Sequence, residues 1–206
     1  MISTGNDIVS LERINIKRTN EYRFYSKIAG TSEQELFHFV QSQIPFAHYV
    51  WLLWSVKESA YKYFKRLDAQ VNFSPLKFVV TEIHFDKSNK HTKNKFFTGC
   101  TTFQQRKLFF ISDYNDSFLH SVVHATNNFD TVFAGHTTLQ SDLYEHQSLA
   151  ATQLLQKGFS NHFNQLIHVK KNEAGCPEII FDEKKSAIPV SISHDGFFVG
   201  YSCVVG

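Results

Sequence analysis

Residues 54–62 read WSVKESAYK, charged and hydroxyl side chains set among large apolar ones. A helix reconciles the two. Extended to about 47–66, the segment places Tyr49, Leu52, Leu53, Val56, Ala60, Tyr63 and Phe64 at spacings of three and four. That is the apolar stripe of an amphipathic helix, and Pro45 suits its boundary. Positions 51, 55, 58, 62 and 65 are four, three, four and three apart, so Glu58 and Lys62 leave one face, away from the stripe. Taken alone, a Glu–Lys pair at i,i+4 is a solvated ion pair contributing about 0.3–0.5 kcal/mol. The same two groups, with Lys57 beside them, could instead handle a metal and phosphates.

Working outward, GNDIVSL (5–11) predicts a strand entered from a glycine. Helices are expected near 19–28 and 32–42, the second capped by Thr31 or Ser32 with Glu33 and Glu35 in its first turn. Beyond residue 75 the pattern alternates and is rich in Val, Phe and Thr, predicting strands over 77–85, 96–103, 107–112, 117–125 and 130–138. The basic run DKSNKHTKNK (86–95) reads as a hairpin loop. A helix over 139–158, with Ser141 as cap, precedes strands at 163–170, 177–181, 188–194 and 197–204. Asp195-Gly196 is a strong turn signal between the last two. The order argues an α+β fold, helices packed on antiparallel sheet. The break near 126–129 (TNNF) divides it into a first lobe, 1–127, and a smaller second lobe, 128–206. No short-period repeat is present.

The composition limits the function classes. The chain has 206 residues, 42% hydrophobic and 15% aromatic, enough for a substantial core. A formal charge of +2 leaves room for local basic patches but not for a nucleic-acid coat. Cys100, Cys176 and Cys203 form no C-x-x-C pair, which suggests free thiols in a reducing compartment. Nothing at MISTGNDIVS resembles a signal peptide, and the apolar run at Val50–Leu53 is too short for a bilayer. The expectation is a soluble cytoplasmic protein that binds neither nucleic acid nor membrane.

Two other places can carry chemistry. Asp7 sits between Gly5 and an Ile-Val run, either as a turn aspartate or as a carboxylate held rigidly for a hard cation. In SISHDGFF (191–198), His194 ends an alternating strand beside a tight turn, where a histidine could meet a phosphate. Ser191 and Ser193 share the strand face opposite Val190 and Ile192. His120 and His124 would suit zinc on a helix, but FLHSVVHAT reads as strand, where that spacing separates them. There is no Gly-rich phosphate loop, no G-x-S-x-G and no catalytic cysteine context.

GNDIVSLERI, WSVKESAYK some fifty residues later and a late SISHDG together resemble the 4′-phosphopantetheinyl transferase superfamily. The family's G-[IV]-D-I element departs only at Asn6. Its W-[ST]-x-K-E-[AS]-x-x-K and S-[IL]-S-H elements match in full. The stretches KIAGTSEQ, FSPLKFVVTEI (73–83) and NEAGCPEIIF (172–181) are similar to family segments as well. Val9 stands where many larger members carry a third acidic ligand, and Cys176 where a lysine is usual. The motif order is that of the small holo-acyl-carrier-protein synthases, which trimerise. The length is closer to the two-lobe surfactin-synthetase-activating type.

The resemblance implies a pseudodimer of two similar lobes, working as a monomer. The activity implied is Mg²⁺-dependent (or Mn²⁺-dependent) transfer of 4′-phosphopantetheine from coenzyme A to a serine of an apo acyl or peptidyl carrier protein, releasing 3′,5′-ADP. Asp7 and Glu58 would hold the metal. Glu58 would act as base, alone or through water, and Lys62 would pair with the phosphates. Lys57, Lys62, Ser193 and His194 would bind coenzyme A. Arg13, Lys17 and Arg18 would form a basic strip for an acidic carrier protein, an ordinary solvated face being the plain alternative. The competing expectations are a degenerate member that binds coenzyme A or a carrier without transfer, and an unrelated interaction domain with no coenzyme A affinity. Retention of both Asp7 and Glu58 counts against the first.

Overall fold

The computed structural model describes residues 2–86, 94–163, 166–181 and 184–205. The hairpin loop expected over 86–95 lies, apart from its ends, outside the described residues. The first half opens with strand β1 (Gly5–Ser10) and continues through short helices α1 (Ile16–Thr19), α2 (Tyr22–Tyr25) and α3 (Thr31–Leu36). Long helix α4 (Phe46–Leu67) and strands β2 (Val79–Asp86), β3 (Lys95–Phe103), β4 (Arg106–Tyr114) and β5 (Phe118–His124) follow. The second half holds β6 (Val132–Thr138), α5 (Tyr144–Phe163), β7 (His168–Lys171), β8 (Pro177–Phe181), β9 (Lys184–Asp195) and β10 (Phe198–Val204).

Both sheets are antiparallel and five-stranded, in the orders β1-β5-β4-β3-β2 and β6-β10-β9-β8-β7. The fold is α+β, as the strand and helix order predicts. α4 lies on the first sheet, and its whole expected stripe, Tyr49 to Phe64, is buried. α5 covers the second sheet through Leu155 and Phe159, packed with Ile179, Val190 and Tyr201. Among the described residues no helix is long and apolar enough to cross a membrane.

Strand β1 positions the site because it is buried on both faces. Its odd positions face α4. A Cβ at Gly5 would lie 1.9 Å from the Ser59 carbonyl oxygen, so only glycine lets the helix backbone come this close. The small Ser55 and Ser59 complete that approach: Ser55 Oγ donates to the Asp7 carbonyl at 3.2 Å and Ser59 Oγ to the Ser121 carbonyl at 3.1 Å. The even positions face the second sheet. Thr4 Oγ1 meets Ser202 Oγ at 2.9 Å, and Ile8 packs with Phe118 and Phe198. Period-two alternation thus sends Asp7 toward the helix and Asn6 toward the other sheet.

The helical expectations need correction in the first half. Neither 19–28 nor 32–42 is one continuous helix; the chain makes three short helices and a 3-10 turn at Phe37–Phe39. Asn15 restarts the chain locally, its side chain accepting the Arg18 N–H at 2.9 Å. The cap of α3 is Gly30, not Thr31 or Ser32; its N–H donates to Glu33 Oε2 at 2.8 Å. α5 begins later than predicted and runs on to Phe163, which shortens the strand expected over 163–170 to His168–Lys171. Ser141 lies ahead of the helix, its Oγ accepting the Leu143 N–H at 3.3 Å. The hairpin at Asp195-Gly196 forms as predicted, with Gly196 in the left-handed region at φ 55°.

Candidate active site

Asp7 projects from β1 against the solvent-facing side of α4. Lys62 Nζ lies 2.9 Å from Asp7 Oδ1 and 3.5 Å from Glu58 Oε1, so one ammonium bridges two carboxylates. The Lys62 and Glu58 side chains are 24% and 27% exposed, while that of Asp7 is only 8% exposed. The Glu58–Lys62 pair is therefore no free surface pair. Burial pushes the Asp7 carboxyl up to about 7; Lys62 opposes the rise, and the charges of Glu58 and Asp195 add to it. Burial disfavours the Lys62 cation, but attraction to Asp7 and Glu58 outweighs this and raises its pKa. Two carboxylates thus share one ammonium, an excess of negative charge that a further cation would relieve.

Two cavities meet here. One, of about 490 Å³, is lined by Asp7, Glu58, His194 and Asp195, with Trp51, Trp54 and Phe24 supplying an apolar wall and Arg13 and Arg18 a basic rim. The other, of about 330 Å³, shares Asp7, Glu58 and His194 and adds Lys62, Lys65, Arg66 and Lys171. The first is mostly apolar with cations at its edge. The second concentrates positive charge and suits phosphate groups. His194 separates them, its ring 5.2 Å from that of Tyr144 in an edge-on pair. Burial, followed by Lys62 and Lys171, lowers the His194 pKa against the pull of Asp195. The shift favours the neutral imidazole, which can donate from one nitrogen.

Not every expected residue arrives at these cavities. Lys57 does not. Its side chain is 0% exposed, its ammonium 2.7 Å from Glu33 Oε2 and bonded to the Ile28 carbonyl. Glu33 completes its shell by accepting from the backbone N–H groups of Gly30 and Val80, both at 2.8 Å. Lys57 therefore joins α3, α4 and β2 and lines neither cavity. A sequence signal existed: position 57 is four after Leu53 and three before Ala60, inside the apolar stripe. Ser193 is at the cavity wall, but it is 3% exposed and its Oγ accepts from Asn6 Nδ2 at 2.7 Å. Ser191 Oγ likewise accepts the Asn6 backbone N–H at 3.1 Å.

The departures from the motif pattern have visible surroundings. Asn6 is 0% exposed because it spans the junction of the sheets, reaching Ser193 and, at 3.1 Å, His120 Nε2. Burial, then His136 and Lys62, depress His120 to about 3, so it stays neutral and accepts. His120 and His124 lie on strand β5, as expected. Among the described residues no group of three or more His, Cys, Asp or Glu could hold a metal ion together. Val9 is in the core beside α4. Cys176 lines the basic cavity; it, Cys100 and Cys203 are free and buried. Arg66 escaped the sequence reading. Its guanidinium leaves α4 and donates to the carbonyls of Pro177, at 2.9 Å, and Val190, fastening the helix to the second sheet.

A family model described as the 4′-phosphopantetheinyl transferase superfamily matches residues 3–125, more than half of the chain. The chain belongs to the 4′-phosphopantetheinyl transferase superfamily. No curated protein and no solved structure matches it. The matched span contains Asp7, Glu58 and Lys62 but ends before the strand bearing His194. A phosphopantetheinyl transferase takes coenzyme A as its substrate, and the family typically uses a divalent metal. The two α+β sheets with their covering helices are consistent with the two-lobe form of this fold.

Proposed function

We propose that this transferase moves 4′-phosphopantetheine from coenzyme A to a serine of an apo acyl or peptidyl carrier protein and releases 3′,5′-ADP. One observation carries the reading: Asp7, Glu58, Lys62 and His194, from three separate elements, converge where an apolar and a basic cavity join. The basic cavity would take the adenosine phosphates, against His194, Lys171 and Lys65, and the apolar one the pantetheine arm. Lys62 would meet the diphosphate as a point charge.

Asp7 and Glu58 fit a hard divalent cation. Both offer only carboxylate oxygens, and a cation of that kind takes one or two carboxylates with water and substrate phosphate. When bound, Mg²⁺ or Mn²⁺ there would neutralise charge on the diphosphate. The chain's own part is to place and move a proton. Glu58, 27% exposed at the cavity mouth, would take the proton of the carrier serine hydroxyl, directly or through water. The serine oxygen then bonds to the pantetheine-linked phosphorus as that atom's bridging P–O bond breaks. The electron pair leaves with 3′,5′-ADP.

Arg13 and Arg18 rim the apolar cavity, with Lys17 exposed beside them, and this strip would receive an acidic carrier protein. We read 1–127 as the lobe supplying the carboxylates and 128–206 as the lobe supplying His194. Because both lie in one chain, a monomer would suffice. The three free cysteines suit a cytoplasmic setting.

Intact mass spectrometry of a panel of apo carrier proteins, incubated with coenzyme A and Mg²⁺, tests the reading. A phosphopantetheine mass gain that EDTA abolishes, and that Asp7→Ala and Glu58→Ala lose while remaining folded, is expected. Coenzyme A binding without any mass gain would leave a binder rather than a transferase.

A further inference from the structure

Among the described residues strand β1 is the edge of its sheet, paired with β5 on one side. An open edge ordinarily leaves alternate N–H groups unpaired. Here side chains of β9, not its backbone, meet that edge. Ser191, Ser193 and Asp195 are two apart and share one face of β9. Ser191 Oγ accepts the N–H of Asn6 at 3.1 Å, Ser193 Oγ accepts Asn6 Nδ2 at 2.7 Å, and Asp195 Oδ2 accepts the N–H of Ser10 at 2.9 Å. The row grips β1 on both sides of Asp7. Its last member is the only charged one, and a carboxylate accepting a backbone N–H makes about twice the bond a hydroxyl does.

The turn that carries Asp195 is itself held. Gln147 Nε2 donates to the Gly196 carbonyl at 2.6 Å, and the Leu139 N–H to the Phe197 carbonyl at 2.6 Å. A Cβ at Gly196 would fall 2.8 Å from Arg13 Cδ and 2.9 Å from Ser10 Cβ, so the turn rests directly on the end of β1. Asp195 follows His194 immediately. The Ser10 bond therefore ties the strand of Asp7 to the strand of His194, one from each sheet.

We propose that Asp195 is a positioning residue for the transfer reaction, acting through its hydrogen bond to the Ser10 N–H to hold Asp7 in register with His194. This rests on the proposed function. Asparagine retains an acceptor oxygen and loses the charge; alanine loses both. The experiment compares wild type, Asp195→Asn and Asp195→Ala in three readouts: kcat and KM for an apo carrier, coenzyme A affinity by calorimetry, and hydrogen exchange of the peptide spanning β1.

Asp195→Ala should lower kcat about ten- to a hundredfold, the scale of a small misplacement of reacting groups, with carrier KM within about twofold, a margin set well inside that loss. Its β1 amides should exchange about tenfold faster. Asp195→Asn should restore slow exchange and most of kcat. The proposal fails if Asp195→Ala leaves kcat and exchange unchanged. It also fails if Asp195→Asn loses as much kcat as Asp195→Ala while keeping slow exchange, which would assign the role to the charge. A wild-type protein that modifies no carrier defeats the functional reading instead, and the exchange of the two variants then decides whether Asp195 holds β1 at all.

Discussion

Replacing Lys57 with methionine separates a structural lysine from a substrate-binding one. The Lys57 ammonium is fully buried and shares Glu33 Oε2 at 2.7 Å, while Glu33 itself is 1% exposed. Burial lowers the Lys57 pKa, and Glu33 resists that only in part, so the charge is held at a cost. Removing the lysine strands the carboxylate, and breaking one partner of a buried pair costs about 3–5 kcal/mol. The N–H groups of Gly30 and Val80 still serve Glu33, which places the loss near the lower end, about 3 kcal/mol. For a chain of this size that is a fall in Tm of about 6–12 °C. Lys57→Met combined with Glu33→Gln should recover part of the loss, because no uncompensated charge remains. Thermal unfolding with calorimetric titration of coenzyme A is the assay. Full stability together with tenfold weaker coenzyme A binding would refute the reasoning and return Lys57 to the substrate.

Further expectations concern the same strand and its neighbours. Gly5→Ala should cost at least about 3 kcal/mol, at the upper end of overpacking effects, because its Cβ meets helix backbone rather than a flexible side chain; an unchanged denaturation midpoint would count against the close approach of α4 and β1. The Asp7 carboxyl rises from 3.8 to about 7 on folding, so the folded state binds the proton more tightly. Its contribution is fully present below pH 3.8 and is lost as pH rises through about 7. In EDTA, Asp7→Asn, which mimics the neutral form, should therefore gain stability relative to wild type as pH climbs from about 4 to 8; a pH-independent difference would contradict the shift. His120 moves the other way, from 6.5 to about 3. The stability it supports is present above pH 6.5 and is lost as pH falls toward 3. His120→Gln should flatten that part of the acid-unfolding curve, and an unaltered acid limb would refute the assignment.

The sequence by itself determined the elements whose period is clean and the residues that sit on them. The stripe from Tyr49 to Phe64 fixes α4 and the direction of Glu58 and Lys62, because a 3.6-residue turn leaves only one way to bury seven apolar side chains. Period-two alternation did the same for the sheets, and Asp195-Gly196 for the last hairpin. Short helices near the start were less legible, since capping by Asn15 and Gly30 interrupts a pattern that composition alone would continue. Tertiary structure alone decided where each polar group spends its hydrogen bonds. Lys57 turned inward because Glu33, 24 residues away in sequence, waits there. Ser191 and Ser193 accept hydrogen bonds from Asn6 because the open edge of β1 needed acceptors, and Asn6 became useful only once β9 lay against it. Local pattern encodes which face is apolar; the partner of a buried polar group is a long-range fact, set when the two sheets meet.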